Sequence, residues 1–197
     1  MELHAVKAFF DEQAQRWDSV CHHDMQKLRY ILSVCDLLPG QRIIDIACGT
    51  GVLFSLLLEA APARLVGVDL SEAMLRVAKK KLQDARLQLL AADFLGMEES
   101  GFDRAILYSA YPHFFDKAVL AKKLWAALAP GGRVTIAHSQ GREQINAMHT
   151  RRGADPISVP LRSGVKERRW FDPWFSIDTC VDTKELFVLS GIKRADV

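Results

Sequence analysis

Short apolar runs alternate with helix-like segments along the middle of this 197-residue chain. The runs are rich in β-branched residues and begin at Arg42 (RIIDI), Arg64 (RLVGVDL), Arg86 (RLQLLAAD), Phe102 (FDRAILY) and Gly132 (GRVTIAH). Near-continuous apolar strands are typical of a parallel sheet that is covered on both faces. Because helical patterns separate the runs, the sequence predicts an α/β fold, a doubly wound and mostly parallel sheet with helices on both faces.

Two segments lie outside this alternation, within the single domain that we expect for a chain of this length. Residues 1–40 hold two helical patterns and are expected to form an N-terminal helical lid, and residues 41–138 form the core. Residues 139–180 form a long excursion, and residues 181–197 are expected to hold a last helix and strand. Ligands of such sheets bind beyond the carboxyl ends of the strands, so the lid and the excursion are candidates to cover that edge.

Composition and charge argue against several classes of protein. The net charge is only +2, and seven basic residues against three acidic ones between positions 142 and 169 indicate a solvated loop rather than a nucleic-acid surface. No secretory signal is expected, and the apolar stretch VLFSLLL is too short to cross a membrane. None of the four cysteines forms a C-x-x-C pair. We therefore expect a reduced, cytoplasmic protein with neither a membrane nor a nucleic acid as partner.

A glycine-containing turn after the first strand is the first chemical signal. IIDIACGTG places Gly49 and Gly51 where glycine lets the backbone approach a ligand closely. A dinucleotide-binding G-x-G-x-x-G pattern would lack its first and third glycines here. Asp45, which closes the first strand, suits a cationic ligand with a free amino group better than a pyrophosphate. The turn therefore favours a ligand other than a dinucleotide.

Acidic residues also close the next two strands. Asp69 follows Gly49 by twenty residues, a spacing at which a carboxylate can accept hydrogen bonds from both ribose hydroxyls. Asp93 closes the third strand and is followed by Phe94, a pair that suits the amino group and the ring of adenine. Each acid alone could cap a helix in another α/β fold, but their order along the chain indicates one nucleoside site.

These motifs resemble those of the class I S-adenosylmethionine-dependent methyltransferases that act on small molecules. The resemblance covers about residues 42–138, in the order IIDIACGTG, VGVDLSEAML, AADF, FDRAILYSAYPHF and LAPGGRVTIAH, with Ala47 in place of a frequent glycine. It implies a Rossmann-like fold, S-adenosyl-L-methionine as cofactor and a cofactor-binding core at 41–138. The residues that it assigns to the cofactor are Asp45, Ala47, Cys48, Gly49, Gly51, Asp69, Leu70, Asp93, Phe94 and Tyr108.

The tail departs from the family pattern. TKELFVLSGIKRADV resembles the last helix and the sixth strand, whereas the family normally adds a seventh, antiparallel strand. We therefore expect either a truncated chain or a sheet that is one strand short. The N-terminal FFDEQAQRWD resembles the lid helix of small-molecule members, which supports a mobile lid at residues 1–24.

Methyl transfer is an in-line displacement, and a base is needed only where the acceptor loses a proton. The candidate catalytic residues are Tyr111 and His113, just past the fourth strand, and His138 at the end of the fifth. Tyr111 is expected to face the sulfonium through its ring. For His113, a structural role in bonding a loop carbonyl is equally open.

The stretch HSQGREQINAMHT supplies the candidate acceptor site. On a helix, Arg142, Asn146 and His149 share one face, and with His138 they are expected to form the acceptor wall. Because Arg142 can hold an anionic group bidentately, a small polar or anionic acceptor is favoured. A solvated helix is the alternative. The lid adds three further candidates for substrate binding, Trp17, His22 and His23.

Three other functions remain open from the sequence. RNA or protein methylation has only the basic 142–169 segment in its favour. A non-catalytic cofactor-binding module would keep the motifs without turnover. A metal-sensing module would use Cys21 and the histidines, but no segment has a tight metal-ligand spacing, so no metal is expected.

Overall fold

The computed structural model describes residues 2–151 and 157–195. Within these residues the strands are β1 (Arg42–Ile46), β2 (Arg64–Asp69), β3 (Leu87–Ala91), β4 (Phe102–Tyr108), β5 (Leu128–His138), β6 (Phe175–Asp182) and β7 (Phe187–Lys193). The α-helices are α1 (Glu2–Gln13), α2 (Trp17–Val20), α3 (Met25–Val34), α4 (Phe54–Glu59), α5 (Glu72–Lys81), α6 (Lys117–Ala127), α7 (Arg142–Arg151) and α8 (Gly164–Phe171). The predicted alternation of strands and helices is confirmed.

All seven strands belong to one sheet with the order β3-β2-β1-β4-β5-β7-β6. Strands β1 to β5 run parallel to one another, and β7 runs antiparallel to both β5 and β6. Two hydrophobic clusters cover the faces of the sheet: α3, α4 and α5 pack in one cluster, and α6 and α8 pack in the other. The doubly wound fold is therefore confirmed, and the carboxyl ends of β1 to β5 share one edge.

Local sequence signals fix the helix starts along that edge. Ser71 caps α5 by accepting a hydrogen bond from the Met74 amide, 3.0 Å away. Asp24 caps α3 in the same way, and Asp116 caps α6. A side-chain cap satisfies a helix amide that has no backbone partner, so each helix begins at a defined distance from the sheet.

The predicted last strand in residues 181–197 is present as β7, but the predicted last helix there is wrong. The tail contributes the end of β6, a turn and β7, and the helix that precedes β6 is α8, inside the 139–180 segment. The expectation of a sheet that is one strand short is also wrong, because the sheet has its antiparallel strand. Strand β6 has a weak sequence signal because buried and exposed residues alternate along this sheet edge, unlike the continuous apolar runs of the inner strands.

The excursion contains two helices rather than only a loop. Helix α7 follows β5 directly, and α8 packs against β6. Arg152 of the basic segment lies outside the described residues. No α-helix in the described part of the chain combines the length and the apolar character that a membrane span needs.

Candidate active site

A cavity of about 480 Å³ lies at the carboxyl ends of the parallel strands. Its sheet side is formed by the turns after β1, β2, β3 and β4, and α1, the α2–α3 loop and α7 complete the wall. The predicted cofactor residues that line it are Ala47, Cys48, Gly49, Asp69, Leu70, Asp93, Phe94 and Tyr108. Strand ends that are far apart in sequence thus meet around one space of ligand size.

The turn after β1 approaches the cavity in a backbone conformation that favours glycine. Ala47 has a φ of 54° and Gly49 a φ of 55°, both in the left-handed region. Ser109, at the end of β4, has a φ of 56° and lines the same cavity. Two non-glycine residues with positive φ at one cavity indicate a functional constraint on the backbone. Ala47 therefore adopts a backbone conformation that glycine reaches without strain.

Asp69 joins the ends of β1 and β2. Its carboxylate accepts one hydrogen bond from the Gly49 amide and one from the Ser71 amide, each 2.8 Å long. Burial raises the pKa of Asp69, and these two backbone hydrogen bonds act in the opposite direction. The side chain is thus held rigidly at the cavity wall, in the position expected of a ribose acceptor.

Asp45 and Gly51 do not line the cavity. Asp45 is buried, and burial together with the charge of Asp69 raises its pKa to about 8. Its carboxyl is therefore largely protonated near neutral pH. A Cβ atom at Gly51, where φ is 78°, would come within 2.4 Å of the Phe54 ring. The turn therefore requires glycine at this position so that it can pack against Phe54.

The end of β3 carries the predicted adenine pair. Asp93 accepts a hydrogen bond of 3.0 Å from the Leu95 amide and caps a short 3-10 helix, Phe94–Gly96. Phe94 is 4% exposed and packs in the core while still contributing to the cavity wall. The cap fixes the carboxylate and the ring next to each other.

The N-terminal helices are tied to the cofactor loops by two aspartates. Asp11 of α1 accepts a hydrogen bond of 2.6 Å from the Ser71 hydroxyl, next to Asp69. Asp18 of α2 accepts one of 2.5 Å from the Thr50 hydroxyl in the glycine turn. Trp17 lines the cavity, and its ring packs edge-on against Phe10 with centroids 5.5 Å apart. The lid thus contacts both loops that would hold the cofactor.

Three polar side chains of the cavity lining form a hydrogen-bonded chain. His23 Nδ1 lies 2.9 Å from the Tyr108 hydroxyl, which lies 2.7 Å from the Ser139 hydroxyl. Burial lowers the pKa of His23 and raises that of Tyr108, so both are neutral near neutral pH. His22, the neighbour of His23, also lines the cavity but is exposed.

His113 lines the cavity and also makes the loop contact that the sequence left open. Its Nδ1 donates a hydrogen bond of 2.9 Å to the Ile157 carbonyl, which leaves the lone pair on Nε2. The ring packs edge-on against Phe10 and lies 5.2 Å from the ring of His149. Burial lowers its pKa to about 4, so His113 is neutral and weakly basic.

The structure contradicts the predicted catalytic positions of Tyr111 and His138. Tyr111 is fully buried, and its hydroxyl donates to Glu167 over 2.7 Å, so its ring does not line the cavity. His138 is 3% exposed and packs against Phe187. Because successive side chains of a strand alternate, the residue after it, Ser139, reaches the cavity instead. Burial lowers the pKa of His138 to about 3.

The predicted acceptor wall is contradicted for two of its helical residues. Arg142 Nε lies 3.4 Å from the Asp182 carboxylate on β6, away from the cavity lining. Asn146 donates to the Leu161 carbonyl and accepts from the Leu161 amide, over 3.0 and 2.8 Å. Partners 40 and 15 residues further along the chain therefore occupy both side chains. Of the helical face, only His149 lines the cavity.

Sequence reasoning missed several residues that line the cavity. They are Ser109, Ser139, Gln140, Phe10, Phe114, Phe115 and Met148. Ser139 and Gln140 stand directly after the last residue of β5, so the strand-end rule would have found them. The aromatic and aliphatic residues carried no signal, because an apolar residue in a helix is as easily part of the core.

Metal-ligating side chains do not converge in the described ranges. No group of three or more His, Cys, Asp or Glu residues within 2–151 and 157–195 is placed to hold a metal ion. The four cysteines are free thiols, and burial raises the pKa of Cys48 in the glycine turn.

Comparison with known proteins agrees with this geometry. Residues 43–132 match a protein family that is described as a methyltransferase domain. A trans-aconitate 2-methyltransferase of Variovorax paradoxus is 31% identical over 144 residues, which are 73% of this chain and 51% of the relative. A demethylmenaquinone methyltransferase of Thermus thermophilus is 36% identical over 101 residues, 49% of this chain and 46% of the relative. The chain thus spans about half the length of these curated relatives.

A solved structure shows the same fold over almost the whole chain. The geranyl diphosphate C-methyltransferase of Streptomyces coelicolor superposes with a TM-score of 0.78 at 11% identity, covering 98% of each chain. Residues 43–132 thus carry a methyltransferase domain, and in its strand-end motifs and seven-stranded sheet the chain is similar to the class I S-adenosylmethionine-dependent methyltransferases.

Proposed function

We propose that this protein binds S-adenosylmethionine and transfers its methyl group to a small molecule. One observation carries the proposal: the glycine turn, Asp69 and the Asp93–Phe94 pair line one cavity at the strand ends. In this assignment the turn holds the methionine part, Asp69 the ribose hydroxyls, and Asp93 with Phe94 the adenine. Leu70 and Cys48 complete the apolar wall of the cofactor half.

Alignment supplies most of the rate in such a reaction. Well-oriented reactants gain about 7–11 kcal/mol over reactants that meet in solution. The lid and α7 both line the cavity, through Phe10 from the lid and Met148 and His149 from α7. An acceptor enclosed between them would be held against the cofactor and shielded from water.

A small molecule is the better supported acceptor class. The relatives act, by name, on trans-aconitate and demethylmenaquinone, and the solved neighbour was crystallised with geranyl diphosphate. Three arginines of the basic segment that suggested RNA are engaged within the chain: Arg142 with Asp182, Arg162 with Glu167, and Arg168 with Asp172. The RNA or protein alternative thus loses part of its only support.

Two measurements test the proposal. Calorimetry with S-adenosylhomocysteine should show one site per chain. S-adenosylmethionine carrying tritium in its methyl group should then transfer label to the small-molecule fraction of a cell extract, and the label should persist after RNase and protease treatment. Absence of binding would reject the cofactor assignment, and binding without transfer would indicate a non-catalytic module.

A further inference from the structure

The charged side chains of the cavity are all acidic in the described part of the chain. Asp69, Asp93 and Asp116 line it, and no described lining residue is a lysine or an arginine. Nearby cations are engaged elsewhere: Lys27 with Glu185, Lys81 with Asp18, and Arg142 with Asp182. Within the described lining, an anionic acceptor would therefore meet these carboxylates with no lysine or arginine to offset them.

The lid side of the cavity is apolar and largely aromatic. Helix α1 contributes Val6, Phe9 and Phe10, and the loop after β4 contributes Phe114 and Phe115. Phe10 forms edge-on contacts with two other cavity residues, the rings of Trp17 and His113, at 5.5 and 5.0 Å. Such a wall binds an apolar body, aromatic or isoprenoid, through buried area and ring contacts.

In the same cavity, His23, Tyr108 and Ser139 form a hydrogen-bonded chain that three separate segments bring together. Lys27 donates a hydrogen bond of 3.3 Å to the Ser139 carbonyl, which helps to fix its turn. Asp18 raises the pKa of His23, whereas burial, Lys81 and His22 lower it, and burial is the largest effect. His23 can therefore accept a proton at neutral pH.

We infer that the acceptor is an uncharged, mainly apolar molecule that is methylated on a hydroxyl group, and that His23 receives the hydroxyl proton through Ser139 and Tyr108. This inference rests on the proposed methyl transfer and narrows its substrate class. It replaces the anionic acceptor that Arg142 suggested from sequence. The apolar lid holds the body of the acceptor, and the polar chain meets its reacting end.

The step balances in atoms and electrons. The bond between sulfur and the methyl carbon breaks, its electron pair stays on sulfur, and the acceptor oxygen forms the new bond to carbon. The acceptor proton passes to Ser139, the Ser139 proton to Tyr108, and the Tyr108 proton to His23 Nδ1. The products are S-adenosylhomocysteine, a methyl ether and an imidazolium at His23, which then loses its proton to solvent.

The chemical class of the labelled product tests the acceptor even while the molecule itself is unidentified. After the tritium assay on a cell extract, the label should partition into ethyl acetate at neutral pH, should resist the mild alkaline hydrolysis that cleaves methyl esters, and should be released from the methyl ether by boron tribromide. Label that enters the organic phase only after acidification, or that never enters it, would overturn the uncharged acceptor. Label retained on carbon or nitrogen would overturn the hydroxyl. No transfer at all, with S-adenosylhomocysteine still bound, would reject the proposed function itself.

The relay is tested by two variants and one control. His23→Gln keeps a polar side chain that cannot take the proton, and Tyr108→Phe keeps the ring but breaks the chain. Both should slow label transfer by about 100-fold, the lower end of general-base effects, and His23→Gln should leave S-adenosylhomocysteine affinity intact. His23→Gln should also abolish the fall in rate on the acid side of the pH profile. His4→Gln, on the exposed face of α1, should match the wild type. Unchanged rates and pH profiles in both variants would overturn the relay.

Discussion

The cavity has a cofactor half, formed by the turns after β1, β2 and β3, and an acceptor half, formed by α1, α7 and the turns after β4 and β5. The two halves are built in different ways. In the cofactor half, each side chain takes its place from its position at a strand end, as Asp69 and Asp93 do. Around the acceptor half, the direction of a side chain depends on a partner far along the chain, as when Arg142 turns to Asp182 and away from the cavity. Order along the sequence therefore specifies the first half, and tertiary packing specifies the second.

The largest effect should come from removing a buried carboxylate that bonds Tyr111, the neighbour of the cavity residue Ala110. Glu167 is 1% exposed and accepts hydrogen bonds from the Tyr111 hydroxyl and from the amide and side chain of Arg162. Glu167→Ala leaves these donors without their buried partner and should lower the free energy of unfolding by about 3–5 kcal/mol. Urea unfolding measures this, and Glu143→Ala on exposed α7 is the control.

The same variant also tests the separation of the two halves. At a temperature where Glu167→Ala remains folded, its affinity for S-adenosylhomocysteine should equal that of the wild type. A folded variant that no longer binds the cofactor would show that the halves are coupled.

A substitution in the cofactor half should have the opposite effect and lower the affinity for S-adenosylhomocysteine. Asp69→Ala removes a carboxylate that holds Gly49 and Ser71 and is assigned to the ribose. Charge-assisted hydrogen bonds contribute about 1.5–3 kcal/mol each, so affinity for S-adenosylhomocysteine should fall by about 100-fold or more. Calorimetry measures this affinity. The control is Asp172→Ala, which removes the same charge at the residue just after α8. Equal affinities for the two variants would remove Asp69 from the cofactor site.

The dependence of stability on pH should follow two buried histidines, His113 in the acceptor half and His138 beside it. The folded pKa of His138, about 3, lies below the ordinary 6.5, so the unfolded chain binds the extra proton and stability falls as the pH falls below 6.5. His138→Leu should remove about 2 kcal/mol of the change between pH 7 and pH 5. His113 acts with the same sign and Asp45 with the opposite sign, so the comparison with wild type isolates the contribution of His138. Parallel stability curves for the two proteins would contradict the buried neutral imidazole.

The smallest effect should come from the residue that the sequence placed at the acceptor. The Arg142–Asp182 pair is partly exposed, and such pairs contribute about 0–1 kcal/mol. Arg142→Ala should therefore cost little stability and leave label transfer intact, with Arg142→Lys as the conservative control. Loss of transfer in the alanine variant alone would restore the acceptor wall.

The fold and the cofactor half were predictable because their signals are local. A β-branched run followed by an acid or a glycine marks a strand end whatever surrounds it, and the parallel sheet then gathers these ends at one edge. His113 shows where this stops. Its place after β4 was readable, but its role was not, because the carbonyl that fixes its tautomer belongs to Ile157, 44 residues away.

The sequence by itself determined the alternation of strands and helices in the core, the glycine turn and the three strand-end acids, since period, turn chemistry and spacing are properties of neighbouring residues. Only the tertiary structure decided that β6 and β7 complete the sheet, that Ser139 rather than His138 meets the cavity, and that Arg142 and Asn146 turn away from it. These outcomes depend on which partner a side chain meets across the fold. The sequence names the candidate partners but does not bring them together.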